Sequence, residues 1–220
     1  MDKNKLGIQY MQEAKYEEAA KAFSEAIEEN PNEPLYYVNF GNLLSAVDEL
    51  DKAIAFYQKA IGIDETMATA YYGLGNAYYN QSDFKRAQKS FEEATKKGLG
   101  NSDTYFMLGM TFLQMEQENK ALAHFQRSVE LNEEDAEARF QFGLCLAGQS
   151  MIDEAIDQFQ TVIKLDPTHA DAYYNLGVAY AGFKEDGVKA LEMFDKALNI
   201  QPDHLLAGNG KKIVEEALNQ

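Results

Sequence analysis

Residues 68–101, ATAYYGLGNAYYNQSDFKRAQKSFEEATKKGLGN, decide the fold. In the first half Tyr71, Leu74, Gly75 and Tyr78 recur at spacings of three and four, which places them on one stripe of an α-helix. Beyond QSD, Ala87, Phe91 and Ala94 mark the facing stripe of a second helix. Gly75, the smallest member of the first stripe, lets that second helix approach closely. The segment reads as one helix hairpin.

Working outward, Gly7, Gly41, Gly75, Gly109, Gly143 and Gly177 each lie 34 residues apart. Ala19, Ala53, Ala87, Ala121 and Ala155 keep the same step, and Ala190 follows after 35. Four residues behind each alanine comes a ring: Phe23, Tyr57, Phe91, Phe125, Phe159 and Phe194. Three further on are Ala26, Ala60, Ala94, Ser128, Val162 and Ala197. A recurrence at this many positions specifies repeats 1–33, 34–67, 68–101, 102–135, 136–169 and 170–204. Proline would break a helix interior, and Pro31, Pro167 and Pro202 fall between hairpins while Pro34 stands at a helix start. Residues 205–219 keep an apolar rhythm (Leu206, Ile213, Val214, Leu218) with no second helix behind it, so a capping helix is expected there. The expected organisation is a single array over 1–220. Two departures bear on the turns: Leu99 replaces the junction proline inside KKGLGNS, so Gly98 and Gly100 predict a differently bent junction, and one extra residue in FKEDG predicts a longer loop.

An aromatic at position 4, Leu at 7, Gly at 8, Tyr at 11, Ala at 20, Phe at 24, Ala at 27 and Pro at 32 of a 34-residue unit resembles the tetratricopeptide repeat (TPR) family. DAYYNLGVAY, residues 171–180, is similar to its consensus almost letter for letter. RFQFGLCLA and KALEMFDKAL resemble, within that family, the small free-standing TPR proteins of Bacillus of the YrrB type. The resemblance implies an all-α, right-handed α-solenoid and a protein-interaction scaffold.

Composition agrees with a soluble globular chain: 220 residues, 45% hydrophobic and 25% charged. A formal charge of -16 opposes binding to nucleic acid or to an anionic membrane, so neither is expected as a partner. Only the third repeat is net positive, through Lys85, Arg86, Lys89, Lys96 and Lys97, which are expected on a solvated outer face. Cys145, the single cysteine, excludes an intrachain disulfide, and no apolar run fits a signal peptide or a membrane span; a cytoplasmic location is expected.

Nothing in the sequence converges as a reaction centre. His169 and His204 are equivalent junction residues one repeat apart, His124 lies on a second helix, and no His/Cys cluster has zinc-ligand spacing. Cys145 sits among apolar neighbours, where a buried and unreactive thiol is expected. Neither an enzyme nor a cofactor nor a metal is expected.

The first helices carry a second stripe. At about 100° per residue, positions 2, 5, 9 and 12 point away from the packing stripe. In the TPR family that side lines a concave groove for peptides or partner helices. The candidate peptide-binding residues are accordingly Val38, Asn39, Asn42, Tyr72, Asn76, Tyr79, Phe106, Met110, Phe140, Leu144 and Tyr174. Asparagine amides suit the backbone of an extended chain, whereas aromatic and aliphatic side chains suit apolar anchors. Asp103, Glu137 and Asp171 form an expected acidic rim favouring a basic flank on the ligand. A carboxylate clamp of the chaperone-tail kind needs Lys or Arg at positions 2 and 6 of a later repeat, and those positions carry none. The expected function is a scaffold or adaptor that binds an extended peptide or helix of a partner protein. The alternative is an assembly element whose groove or cap packs on another copy. The sequence leaves oligomeric state open, with a monomer favoured.

Overall fold

The computed structural model describes residues 2–219; Met1 and Gln220, the two ends of the expected array, lie outside the described residues. Among the described residues there are thirteen α-helices and no strand. They are α1 Lys3–Gln12, α2 Tyr16–Glu29, α3 Pro34–Ala46, α4 Leu50–Ile63, α5 Ala68–Asn80, α6 Phe84–Lys96, α7 Ser102–Gln114, α8 Glu118–Leu131, α9 Ala136–Gly148, α10 Ile152–Leu165, α11 Ala170–Gly182, α12 Gly187–Ile200 and α13 Leu205–Leu218. The all-α class and the pairing of helices α1–α2, α3–α4 and α5–α6 in the first unit and α9–α10 and α11–α12 in the second are as the 34-residue period predicts. The chain folds as two compact units, one ending at Gln117 and one beginning at Glu118.

Each hairpin is built on one contact. A Cβ added to Gly75 would lie 2.6 Å from the Phe91 ring, and one added to Gly41 would lie 2.7 Å from Tyr57. Gly143 and Gly177 stand in the same relation to Phe159 and Phe194 in the second unit. The ring meets bare helix backbone with its Cδ1–Cε1–Cζ edge, and both helices owe their separation to that missing methyl. In the first unit Phe23, Tyr57 and Phe91 are fully buried this way, with Ala19, Ala53 and Ala87 beside them. In the second unit Phe159, Val162, Leu176, Phe194 and Ala197 form one continuous core with Ala207 and Val214 of α13.

The turns inside hairpins are closed by a residue in left-handed conformation that is never glycine: Ala14 (φ 57°), Asp48 (61°), Ser82 (60°) and Ser150 (61°) among them. The next N–H then reaches back to the helix, as Lys15 N–H does to the Tyr10 carbonyl at 2.8 Å and Asp83 N–H to Tyr78 at 2.9 Å. Between hairpins the chain instead leaves each second helix through an extended residue, such as Asn30, Asp64, Asp166 or Gln201. The junction after α6 differs, as KKGLGNS predicts: Gly98 takes φ 102° and Leu99 N–H bonds the Ala94 carbonyl at 2.9 Å. The extra residue in FKEDG lengthens its turn, which closes from Asp186 N–H to the Tyr180 carbonyl at 3.0 Å.

Two surface features sharpen the sequence reading. On α6, Lys85 and Lys89 are exposed, while Arg86 is held by Asp83 and lies 4.3 Å from the Tyr78 ring and Lys96 is paired with Glu93. On α13 only Val214 of the expected apolar rhythm is buried; Leu206, Ile213 and Leu218 stay 58%, 67% and 55% exposed. The reason is that α13 packs on its neighbours through Ala207, Gly210 and Val214, one face of a single helix.

Cys145 is buried in α9, and burial, aided by the Glu118 charge, pushes its thiol up to about 11.

Gly75→Ala forces a methyl into the buried Phe91 ring and should destabilise by about 1–3 kcal/mol, whereas Gly62→Ala on α4, with nothing within 4 Å of the added atom, should be neutral or stabilising by up to about 0.5 kcal/mol. Urea unfolding of the two variants measures the contrast. A thiol pushed upward carries almost no thiolate at pH 8, so Cys145 should react with a disulfide reagent only as fast as the second unit opens; mixing with and without urea tests this.

Candidate peptide-binding face

In the first unit, α3, α5 and α7 present the candidate residues. Asn42 is exposed at the surface of α3, yet its Oδ1 accepts a hydrogen bond of 2.8 Å from the hydroxyl of Tyr57, a residue only 2% exposed beneath it. Ser45 Oγ lies 3.2 Å from the same hydroxyl. Burial pushes the Tyr57 hydroxyl above its ordinary range, so it stays protonated and available as a donor. Asn39 donates from Nδ2 to Oδ1 of Asn4 at 2.9 Å, and Asn4 is itself buried in α1. Asn39 and Asn42 line a cavity of about 340 Å3 whose remaining walls are Ile8, Met11, Gln12 and Phe23.

On α5, Tyr72 and Asn76 are half-buried, and the Tyr72 ring packs 5.7 Å from Phe91. Tyr79 is half-buried and edge-on to Phe84 at 5.5 Å. Burial raises both phenols. On α7, Phe106 and Met110 are half-buried and Asp103 is exposed. The Asp103 charge raises Tyr72 further.

In the second unit, Leu144 of α9 and Tyr174 of α11 are half-buried. Phe140 packs 4.5 Å from the His169 ring and 5.8 Å from Phe159. Tyr174 sits 5.2 Å from His204 and 6.1 Å from Phe194. Both histidines cap helices: Nδ1 of His169 accepts from Ala172 N–H and Nδ1 of His204 from Ala207 N–H, each at 3.2 Å. Glu137 is exposed and accepts from Gln141 at 2.8 Å.

Three sequence expectations change in detail. Val38 and Phe140 are 3% and 8% exposed, so they support this face from beneath rather than offering surface to a ligand. The cause is local packing: neighbouring side chains close over these two, whereas Tyr72, Phe106 and Tyr174 at the same repeat position stay half-buried. Asp171 already has an Oδ1 3.1 Å from Nε2 of the buried His204, so one oxygen of that rim carboxylate is engaged within the unit. Sequence reasoning missed Tyr57, Asn4 and His204 as partners of the face. A signal for Tyr57 did exist, since the five equivalent positions are all phenylalanine.

Among the described residues no helix is long and apolar enough to cross a membrane, and no group of three His, Cys, Asp or Glu side chains is placed to hold a metal ion.

Family models described as TPR repeat match residues 48–82 and 149–182, and models described as tetratricopeptide repeat match 3–33, 68–98, 102–135 and 170–204. Among curated proteins, the TPR repeat-containing protein YrrB of Bacillus subtilis is 58% identical over 41 residues, 19% of this chain and 20% of that one. A small glutamine-rich tetratricopeptide repeat-containing protein of Mycosarcoma maydis is 31% identical over 105 residues, 44% of this chain and 30% of that one. The aligned stretches thus span a third or less of these two curated relatives. Among solved structures, YrrB, described as a TPR protein with an unusual peptide-binding site, superposes with a TM-score of 0.79 at 54% identity over 88% of this chain and 99% of that one. MamA superposes with a TM-score of 0.69 at 25% identity, over 74% of this chain and 94% of that one. The repeats matched by family models, with the extent of the YrrB likeness, settle the family: the chain belongs to the tetratricopeptide repeat proteins.

Proposed function

We propose that this chain is a non-catalytic adaptor whose first-helix face holds an extended segment or helix of a partner protein. The observation that carries the reading is the run of solvent-reaching amides and half-buried rings along one side of α3, α5 and α7, on a scaffold 54% identical to a protein described as peptide-binding. In this reading Asn42 and Asn76 bond the ligand backbone. Tyr72, Tyr79, Phe106 and Met110 of the first unit, and Leu144 and Tyr174 of the second, take apolar anchors, with Val38 and Phe140 supporting them from below. Asp103 and Glu137, and the outer oxygen of Asp171, favour Lys or Arg on the ligand's flank. The single array over 1–220 and a cytoplasmic location go forward as parts of the same proposal. The scaffold is preformed, so ordering costs fall on the ligand alone.

A second reading has its own observation. Leu205, Leu206, Ile213 and Leu218 leave α13 with a largely exposed apolar side, next to a cavity of about 380 Å3 lined by Gly182, Ile213, Val214 and Leu218 among others. Self-association through this cap would cover it.

Peptides selected from a displayed random dodecamer library on the immobilised protein provide the probe. Asn42→Ala with Asn76→Ala should weaken their binding by about tenfold to a hundredfold, on the scale of two hydrogen bonds, with the melting temperature little changed. Binding lost only in step with unfolding overturns the adaptor reading. Sedimentation from low to high micromolar protein decides the second: a constant monomer removes it, and a dimer dispersed by Ile213→Asp supports it.

A further inference from the structure

Second helices open with acid in four of the six hairpins: Glu17 and Glu18 in α2, Asp51 in α4, Glu118 in α8, Asp153 and Glu154 in α10. Acid suits that place, because the free N–H groups of a first turn carry partial positive charge. α6 instead opens with Lys85 and Arg86 and has no acid in its first turn. At the position of Lys85 the other second helices carry Glu17, Asp51, Asn119, Asp153 and Val188, so the hairpin itself has no use for a cation there. Lys89 lies one turn further along, and like charges at that spacing repel on a helix.

The other cations of α6 are accounted for. Asp83 accepts from Arg86 Nε at 2.5 Å, and the guanidinium lies 4.3 Å from the Tyr78 ring. Lys189 of α12 stands in the same relation to Asp186 and Tyr180. Lys96 is paired with Glu93. Lys85 and Lys89 are exposed and form no ion pair among the described residues. Two rules of helix stability are thus broken at one end of α6 with no compensation inside the protein, which is where sequences place function.

Beside Lys85 and Arg86 opens a cleft of about 630 Å3, between the α5–α6 and α7–α8 turns, whose walls include Gln81, Phe84, Met115 and Gln117. The cleft lies wholly within the first unit. Phe84 and Met115, both half-buried, make part of its wall apolar. Arg86 keeps 58% of its side chain exposed while Asp83 holds it, so its guanidinium is already oriented. The surrounding charge limits the ligand. Outside the third repeat, the first unit carries six basic residues against fifteen acidic. A nucleic acid, charged along its whole length, would run from this patch onto acid. A short run of Asp or Glu would not.

We propose that Lys85, Arg86 and Lys89, with the cleft beside them, form a docking site for a short acidic segment of a partner protein. Its carboxylates meet the three cations, and an apolar side chain next to them seats against Phe84 and Met115. The site shares no residue with the first-helix face and stands or falls apart from the adaptor reading.

Lys85→Glu restores the acid that other second helices carry, so binding and stability should move in opposite directions. The double variant Lys85→Glu, Lys89→Glu should melt at the wild-type temperature or up to about 3 °C above it. Displayed dodecamers selected on wild type and counter-selected on this variant should be rich in Asp and Glu beside an apolar residue, and should bind the variant weaker by about tenfold or more. Lys59→Glu with Lys164→Glu makes the same change in net charge at exposed lysines elsewhere, and should leave their binding within about twofold at physiological salt. Asn42→Ala with Asn76→Ala should leave it equally unchanged. A selected pool with no excess of acidic residues overturns the proposal. So does an equal loss in the Lys59, Lys164 control, which makes the effect one of net charge, and so does a loss with the asparagine pair, which moves these peptides to the first-helix face. A lowered melting temperature of the double variant assigns the two lysines to the fold and overturns it as well. A short DNA duplex that binds tighter than the acidic peptides, and is released by the same two substitutions, replaces the proposal with a nucleic-acid site. Replacing the apolar residue of a selected peptide by Ser should weaken binding about threefold to tenfold, and an unchanged affinity refutes the seat against Phe84 and Met115.

Discussion

The structure depends on a ring laid against a helix that has no side chain at the point of contact. Dispersion falls off steeply with separation, so a methyl's width of extra distance between the helices would forfeit much of the attraction along the whole hairpin. Gly41 beneath Tyr57, Gly75 beneath Phe91 and Gly177 beneath Phe194 keep that distance short. Burying these rings also explains how a thin helical repeat, which has little interior of its own, holds a chain with a formal charge of -16 together.

The same contact governs the candidate binding face. A ring seated this close to the backbone brings its outer end to the flank of the first helix. Where the ring is phenylalanine, that edge is apolar and ends in packing. At Tyr57 the edge carries a hydroxyl, which emerges within reach of Asn42 and Ser45. A core position and a surface position are thus linked by a single atom, and the chemistry of the face is set partly from inside the hairpin.

The fold was almost entirely legible in the sequence, because glycine and ring must recur together for the contact to exist, and both are visible at a fixed spacing. The positions of Asn39, Asn42, Asn76 and Met110 at or near the surface followed from the same helical register. What was not legible depends on how far side chains reach. Asn39 meets Asn4 35 residues away and His204 meets Asp171 33 residues away, and neither pairing is implied by either residue type. Val38 and Phe140 share the register of Tyr72 but are closed over by neighbours, a difference of local packing that periodicity does not carry. The exposure of Ile213 was hidden for the opposite reason: an apolar rhythm predicts a buried face only where something lies opposite to bury it.

The left-handed turn residues have a thermodynamic meaning for the repeat as a unit. An L-residue held in that region costs about 1 kcal/mol or more, and Ala14, Asp48, Ser82, Glu116, Ser150 and Glu185 each sit there. Every hairpin therefore carries a small, fixed penalty at its apex, offset by the ring contact some distance down the helices. The strain and the contact that offsets it thus lie at different heights of the same hairpin, so a substitution that relieves the one, such as Ser82→Gly, leaves the other untouched.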